Sequence, residues 1–254
     1  MWIYESSRIG HNGAMSPLTF ADQPLQGLSS MATKALLHDL TQAFTAHSGM
    51  AVKVESTGGV DAAKRVAAGE AIDLVLIASD AIDRLMAAQQ VLPNSRVDWV
   101  QSDIAMAVRD GDPVPAIHDE ASLKAAVAAA RSLGYSTGPS GAYLEQLFER
   151  WGLTEVVRAK LVVPPPGVPV GALIAQGEVA LGFQQRSELV NLPGLQVLGD
   201  LPSDVAYTTT FSSALGLHLA QDPQRLAAVQ AWQTFLASEA TASAKQRHGM
   251  RALA

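Results

Sequence analysis

Three stretches of the chain have the pattern of a strand that ends in a turn of small residues, from which a helix begins. The turns lie at positions 28–31, 56–59 and 135–141, which read LSSM, STGG and YSTGPSG. Each turn leaves the first helical N–H groups without partners, so hydroxyls, free amides and the positive end of a helix dipole face the same side. One such turn is an ordinary helix cap, but three predict an anion site where they meet.

The composition excludes several classes of ligand and chemistry. The chain has 254 residues, of which 48% are hydrophobic and 17% charged, as in a globular protein of one large or two smaller domains. A net charge of -6 and the lack of basic runs interleaved with aromatics argue against nucleic acid. Without cysteine there is no disulfide, thiolate nucleophile or thiolate metal site. The six histidines show no metal-ligand spacing and nucleotide-type glycine patterns are missing, so we expect neither metal nor cofactor.

Two segments bear on membranes and export. The most apolar stretch, 72–78, is interrupted by Asp73 and is far too short to cross a bilayer, so no membrane insertion is expected. Residues 1–17 mix charged and apolar side chains and lack the unbroken apolar core of a signal peptide. We expect them to form a leader or arm beside the fold.

Helix and strand patterns alternate along the chain, which predicts an α/β architecture with largely parallel sheets. A first βαβαβ half ends with the strand 72–78. The apolar run 104–108 leads into the turn-rich segment 109–113, which suits a crossing between domains, and a second α/β set follows. The segment 205–219 suits a strand that returns to the first domain, and the chain then ends in helix.

Three further polar residues are candidates for ligand contact. Lys64 lies in the first turns of the helix that follows Gly58, from where its ammonium group can reach back toward a ligand at the helix start. Gln184 and Gln185 directly follow an apolar strand, which is where α/β sheets place ligand-contacting side chains. All three have an alternative interpretation as solvated surface residues.

Taken together, the motifs resemble the molybdate-binding-protein-like branch of the type II periplasmic solute-binding proteins, from about residue 18 to the end. The matching motifs are Ser29–Ser30, Thr57–Gly59, GEAIDLVL at 69–76, Pro139–Gly141, and Gly177–Glu178 before Gly182–Phe183. The resemblance implies an α/β, two-lobed fold with two mixed sheets flanked by helices and a two-strand hinge. Lobe 1 would comprise residues 18–104 and 212–254, and lobe 2 residues 105–211.

The resemblance also implies which residues hold the ligand. Molybdate binders use a serine at a first helix start, a serine and an amide at a second, amides of a P-x-G turn, a valine amide at a later helix and a tyrosine. The residues that match are Ser29 or Ser30, Thr57 with Gly58 and Gly59, Ser140 with Gly141, and Val168. Gln185, beside Gln184, stands at the tyrosine position, which favours a larger organic anion such as a di- or tricarboxylate over molybdate.

Two functions follow from this resemblance. The first is a monomeric periplasmic solute-binding protein that holds a small organic anion or oxyanion between its lobes and delivers it to an ABC transporter permease. The alternative comes from a branch that includes aconitate isomerases, which share the SSMA, GGVDAAKR and YSTGPSG stretches found here. Such an isomerase moves an allylic proton of a tricarboxylate and needs a base, for which Lys64 is the candidate as charged partner or base.

Overall fold

The computed structural model describes residues 23–165 and 167–253, so the expected leader or arm at residues 1–17 lies outside it. The strands are β1 (Leu25–Ser30), β2 (Val52–Thr57), β3 (Leu74–Ala78), β4 (Val97–Arg109), β5 (Leu133–Tyr135), β6 (Leu181–Gln185), β7 (Leu195–Asp200) and β8 (Thr208–Leu215). The α-helices are α1 (Lys34–Ser48), α2 (Gly59–Ala67), α3 (Ser79–Ala87), α4 (Glu120–Ala129), α5 (Pro139–Arg150), α6 (Thr154–Arg158), α7 (Val170–Ala175), α8 (Arg186–Leu189), α9 (Pro223–Ala237) and α10 (Ala242–Arg247).

The strands form two mixed sheets that share β4. Their order is β2-β1-β3-β8-β4-β6-β5, and β7 pairs with β4 beside this path. The pairs β1/β2, β1/β3 and β5/β6 are parallel, whereas β4 and β8 run antiparallel to their neighbours. We call the part around β1, β2 and β3 lobe 1, and the part around β5, β6 and β7 lobe 2.

The chain passes between the lobes inside a continuous strand. The first half of β4 pairs with β8 in lobe 1, and the second half pairs with β6 and β7 in lobe 2. The interpretation of segment 109–113 as the crossing is therefore wrong. It contains a turn, with the Asp112 N–H donating to the Arg109 carbonyl at 3.0 Å, but this turn reverses the chain beyond the far end of β4. The predicted boundaries at 104/105 and 211/212 stay a prediction.

Each lobe buries apolar side chains on both faces of its sheet. In lobe 1, Trp99 and Trp232 pack with α1 and α9 on one face, and Leu28 and Ile82 pack with α2 and α3 on the other. In lobe 2, one face carries an aromatic cluster that includes Phe148, and the other packs against α7. Burying large side chains on both faces fixes each sheet rigidly, so the strand ends are held in defined positions.

The periodicity of the early segments predicts their structure well. The four apolar residues spaced along the first predicted helix are all buried in α1, and Gly49 ends that helix in the left-handed conformation with φ 73°. Only a residue without a side chain adopts this conformation at little cost, which is why glycine commonly follows a helix. Gly49 thereby ends α1 and lets the chain turn into β2.

Candidate functional site

The two predicted turns of lobe 1 lie side by side. Because β1 and β2 are parallel neighbours in register, Ser30 at the end of β1 is paired with Thr57 at the end of β2. Helix α2 begins at Gly59, preceded by Gly58, and a Cβ placed on Gly59 would lie 3.5 Å from Ser30 Cβ. The structure therefore brings the predicted residues of both turns, Ser29 included, to one edge of the sheet.

The neighbouring serines of the first turn differ in their hydrogen bonding. Ser29 Oγ lies 2.8 Å from Ser56 Oγ, so this hydroxyl is already engaged inside lobe 1. Ser30 is only 7% exposed, and its Oγ has no hydrogen-bond partner among the described residues. A buried hydroxyl without a partner is unfavourable. Of the two alternatives, the geometry therefore favours Ser30 as the ligand-facing hydroxyl.

The third turn opens α5 at the end of β5 in lobe 2. Ser140 Oγ lies 3.1 Å from Ser136 Oγ, so the two hydroxyls form a pair inside the turn. A Cβ on Gly141 would come within 1.7 Å of the Ser136 carbonyl oxygen, which no side chain can tolerate without a shift of the backbone. A Cβ on Gly138, in contrast, would meet no atom within 4 Å. The conformation of this turn therefore requires a glycine at position 141.

The adjacent glutamines at the end of β6 have different partners. Gln184 Oε1 accepts a hydrogen bond from the Gly171 N–H of α7 at 3.2 Å, and Gln184 Nε2 donates to Glu188 at 2.8 Å. Gln185 Nε2 donates to Thr209 Oγ1 of β8 at 2.7 Å, while Gln185 Oε1 has no partner among the described residues. Gln184 is therefore engaged within lobe 2, whereas Gln185 bonds across to β8 of lobe 1.

Within the described part of the chain, two predicted residues make local contacts only. The Val168 N–H donates to the Pro165 carbonyl at 3.0 Å, so this amide closes a turn before α7. The Lys64 side chain is 74% exposed, with its Nζ 3.8 Å from Asp61 on the same helix. The roles of Val168 and Lys64 in binding or catalysis stay predictions.

Contacts between the lobes bring the ends of β1 and β6 close together. Cα atoms of α8, which directly follows β6, lie within 8 Å of those of the Met31–Thr33 turn, which directly follows Ser30. Asn191 Nδ2 of lobe 2 also lies 3.2 Å from His248 Nδ1 of lobe 1. Since β5 is the parallel neighbour of β6, the α5 turn begins on the same edge of the lobe 2 sheet as Gln185.

One carboxyl group at this junction has unusual proton affinity. Glu188 lies on α8 and is partly buried. Burial raises its pKa to about 7, although the hydrogen bond from Gln184 works in the opposite direction. A carboxyl group with such a pKa is suited to accept and return a proton near neutral pH. Local sequence signals did not indicate Glu188, because its environment arises only from tertiary packing.

The described residues form neither a metal site nor a membrane span. They contain no group of three or more His, Asp or Glu side chains placed to hold a metal ion. No helix among them is long and apolar enough to span a bilayer.

The fold and the paired strand ends define a class: two-lobed proteins that bind a small molecule between α/β lobes. A model of the family described as bacterial extracellular solute-binding protein matches residues 25–251, and the chain belongs to this family. Among curated proteins, it is 37% identical to an aconitate isomerase from a Pseudomonas species, over 94% of this chain and 92% of that protein.

Solved structures of anion-binding proteins share the fold. The periplasmic molybdate-binding protein of Azotobacter vinelandii matches with a TM-score of 0.75 at 15% identity, covering 91% of this chain and 100% of that one. The sulfate-binding protein SubI of Mycobacterium tuberculosis H37Rv matches with a TM-score of 0.72 at 15% identity, covering 91% and 87%. The predicted resemblance and the two-lobed α/β fold class are thereby confirmed.

Proposed function

We propose that this protein binds an unsaturated tricarboxylate between its lobes and isomerises it by moving an allylic proton, as an aconitate isomerase does. The observation that carries the proposal is the 37% identity to an aconitate isomerase over 94% of this chain. The oxyanion-binding structures are only 15% identical and support the fold alone. We therefore take the substrate class from the aconitate isomerase.

The donors at the lobe junction suit an extended organic anion. The three predicted turns present hydroxyls and helix starts at two separate sheet edges, so one ligand with several carboxylates can contact both lobes. The position expected to hold a tyrosine in molybdate binders carries Gln185, whose carboxamide provides both a donor and an acceptor. In this proposal, Ser30, Thr57 and Ser140 hold carboxylates of the substrate.

The reaction requires one base and donors for the charge that develops. A base takes a proton from the methylene carbon, and the electron pair spreads over the allylic carbons into the attached carboxylates. The proton then returns to the other end of the allylic system, and the double bond has moved. Hydrogen bonds to the carboxylates stabilise the intermediate charge.

Glu188 is the base in this proposal. It belongs to α8, the helix that approaches the Met31–Thr33 turn of lobe 1, and its pKa of about 7 allows a useful fraction of carboxylate at neutral pH together with an appreciable affinity for the proton. Lys64, the candidate from the sequence, is the second candidate for the base. It could alternatively act as a charged partner for a substrate carboxylate.

The test uses cis- and trans-aconitate with the purified protein in deuterated water. We expect proton NMR to show interconversion of the isomers together with deuterium incorporation at the allylic positions. The Glu188→Gln variant should bind aconitate but lose about 100-fold or more in turnover. In the wild type, kcat/KM should rise with pH through about 7, as the Glu188 carboxyl group loses its proton.

A result with tight binding but neither interconversion nor exchange would contradict the isomerase and leave the second candidate function. In that function, the protein is a periplasmic solute-binding protein that delivers an organic anion to an ABC transporter permease. The family to which the chain belongs and the continuous strand β4 that joins the lobes favour it. A monomer is then expected, which light scattering measures directly.

A further inference from the structure

Buried polar atoms without partners concentrate where the lobes meet. Among the described residues, six buried side-chain nitrogen or oxygen atoms lack a hydrogen-bond partner, and two of these are tryptophan indole nitrogens. The other four are Ser30 Oγ, Ser102 Oγ, Gln185 Oε1 and Ser187 Oγ. We call these four atoms the interlobe seam.

Two of the seam residues lie on one face of the sheet formed by β4 with its partners β6 and β8. Ser102 of β4 is directly opposite Thr209 of β8, and Ile104 of β4 is directly opposite Gln185 of β6. Side chains two positions apart on a strand, such as 102 and 104, point to the same side of the sheet, and directly opposite residues on neighbouring strands do so as well. Ser102, Thr209 and Gln185 therefore share one face. The hydrogen bond of 2.7 Å from Gln185 Nε2 to Thr209 Oγ1 agrees with this placement.

The remaining two seam residues come one from each lobe. Ser30 ends β1 in lobe 1, directly before the Met31–Thr33 turn. Ser187 lies on α8, whose Cα atoms come within 8 Å of that same turn. The seam therefore includes Ser30 and continues from it toward β4, the strand that runs through both lobes.

The chemistry of the seam suits a carboxylate. Rotating the Gln185 carboxamide by half a turn lets its oxygen accept from the Thr209 hydroxyl and leaves its NH2 group free to donate. The rotation exchanges the carboxamide oxygen and nitrogen, which have similar sizes, so both orientations fit the same space. Ser102, Ser187 and the rotated Gln185 then provide three neutral donors, which bind a carboxylate without cancelling its charge.

We propose that Ser102, Ser187 and Gln185 form a subsite for the central carboxylate of the substrate and thereby select tricarboxylates over dicarboxylates and tetrahedral oxyanions. This inference rests on the proposed function. Because the seam atoms are buried, the subsite fills only when the lobes separate and close again around the ligand.

The test compares two ligands that differ in a single group. Glutaconate is aconitate without its central carboxyl group, so a residue that binds this group affects the affinity for aconitate alone. By isothermal titration calorimetry, the Ser102→Ala and Gln185→Leu variants should each lose about tenfold in affinity for trans-aconitate. Their affinity for glutaconate should stay within about twofold of the wild type.

Ser213→Ala is the matched control. Ser213 is also a buried serine on β8, but its hydroxyl donates to the Val97 carbonyl at 3.2 Å, inside lobe 1. This variant should leave the ratio of the two affinities unchanged. Thermal unfolding of every variant, with and without ligand, separates a loss of binding from a loss of fold.

The outcomes distinguish the subsite from the proposed function. Equal losses for both ligands, no loss for either, or a wild type that binds glutaconate as tightly as aconitate would each overturn the subsite while leaving tricarboxylate binding intact. A wild type that binds neither ligand would overturn the proposed function, and the subsite with it.

Discussion

The Asp73 cluster and the interlobe seam both place polar groups in the protein interior, but they treat them in opposite ways. Asp73 is 1% exposed, and its carboxylate accepts hydrogen bonds from the Gln26 N–H, from Arg225 and from His218. The four seam atoms are as well buried, yet none has a partner among the described residues.

The comparison separates a structural role from a ligand-binding role. A buried polar group that is fully hydrogen-bonded holds elements together, here the start of β1 and α9, to which Arg225 belongs. A buried polar group without a partner weakens the fold and is retained where a ligand supplies the missing bond. Changes in the Asp73 cluster should therefore affect stability, and changes at the lobe junction should affect binding.

The largest effect on stability is expected for Asp73→Ala. The variant leaves the partly buried Arg225 guanidinium without its carboxylate, which costs about 3 kcal/mol of the free energy of unfolding. Urea unfolding measures this cost, and ligand affinity of the folded variant should be unchanged. Asp80→Ala removes an exposed pair with Arg84 instead and should stay within about 0.5 kcal/mol. Equal losses in both variants would contradict the structural role of Asp73.

The stabilisation by Asp73 also depends on pH. Burial favours the protonated carboxyl group, but hydrogen bonds from Arg225, the Gln26 N–H and His218 together lower its pKa below the usual 3.8. Because the folded pKa lies below the unfolded one, this contribution is present above about pH 4 and is lost as the pH falls through the folded pKa. The difference in unfolding free energy between wild type and Asp73→Ala should shrink over the same range.

The next largest effect is expected for Gly141→Ala at the start of α5. The added methyl group would overlap the Ser136 carbonyl oxygen, so the turn must move, and a displacement near 1 Å weakens ligand binding by about 100-fold. Gly138→Ala is the matched control, since the same methyl group there meets open space. Calorimetry with trans-aconitate compares the two variants, and equal affinities would show that the turn does not contact the ligand.

Lys245 offers a third kind of buried polar group. It is 1% exposed, and burial lowers its pKa to about 8, which attraction from Glu239 only partly offsets. The charged form is therefore disfavoured in the folded state, and stability should increase with pH between about 8 and the unfolded value of 10.5.

Replacing Lys245 tests this cost. We expect Lys245→Met to stabilise the protein at pH 7 by about 2 kcal/mol, and the gain to disappear above about pH 10. Urea unfolding at both pH values measures the effect, with the exposed Lys124→Met as the control. A destabilised variant would show that the Lys245 ammonium group has a favourable role in the folded state.

Local signals predicted much of the fold and of the lobe 1 part of the candidate site. Turns such as that at Thr57 follow from neighbouring residues, because capping and helix starts depend on a few adjacent positions. The crossing between lobes was misplaced, because the turn signal near Arg109 is real but the preceding strand continues through both sheets.

The hydrogen-bond partners and the pKa values of the site residues depend on tertiary packing and could not be predicted from the sequence. Gln184 and Gln185 are adjacent, yet the first accepts a hydrogen bond from the first turn of α7 and the second donates one to β8, and neither partner is close in sequence. Ser102 and Glu188 carried no local signal at all, because lack of a partner and a raised pKa arise only from burial by distant segments.

The smallest effect is expected for Lys64→Ala, which tests whether the site extends beyond the buried junction. With 74% of its side chain exposed, the Lys64 ammonium group is screened by water, and its pair with Asp61 adds little to stability. We expect unfolding free energy within about 0.5 kcal/mol of the wild type and aconitate turnover within about threefold. Glu188→Gln, measured in parallel, should lose far more turnover. If Lys64→Ala instead loses as much as Glu188→Gln, an exposed cation takes part in the chemistry, and the division between buried site and solvated surface no longer holds.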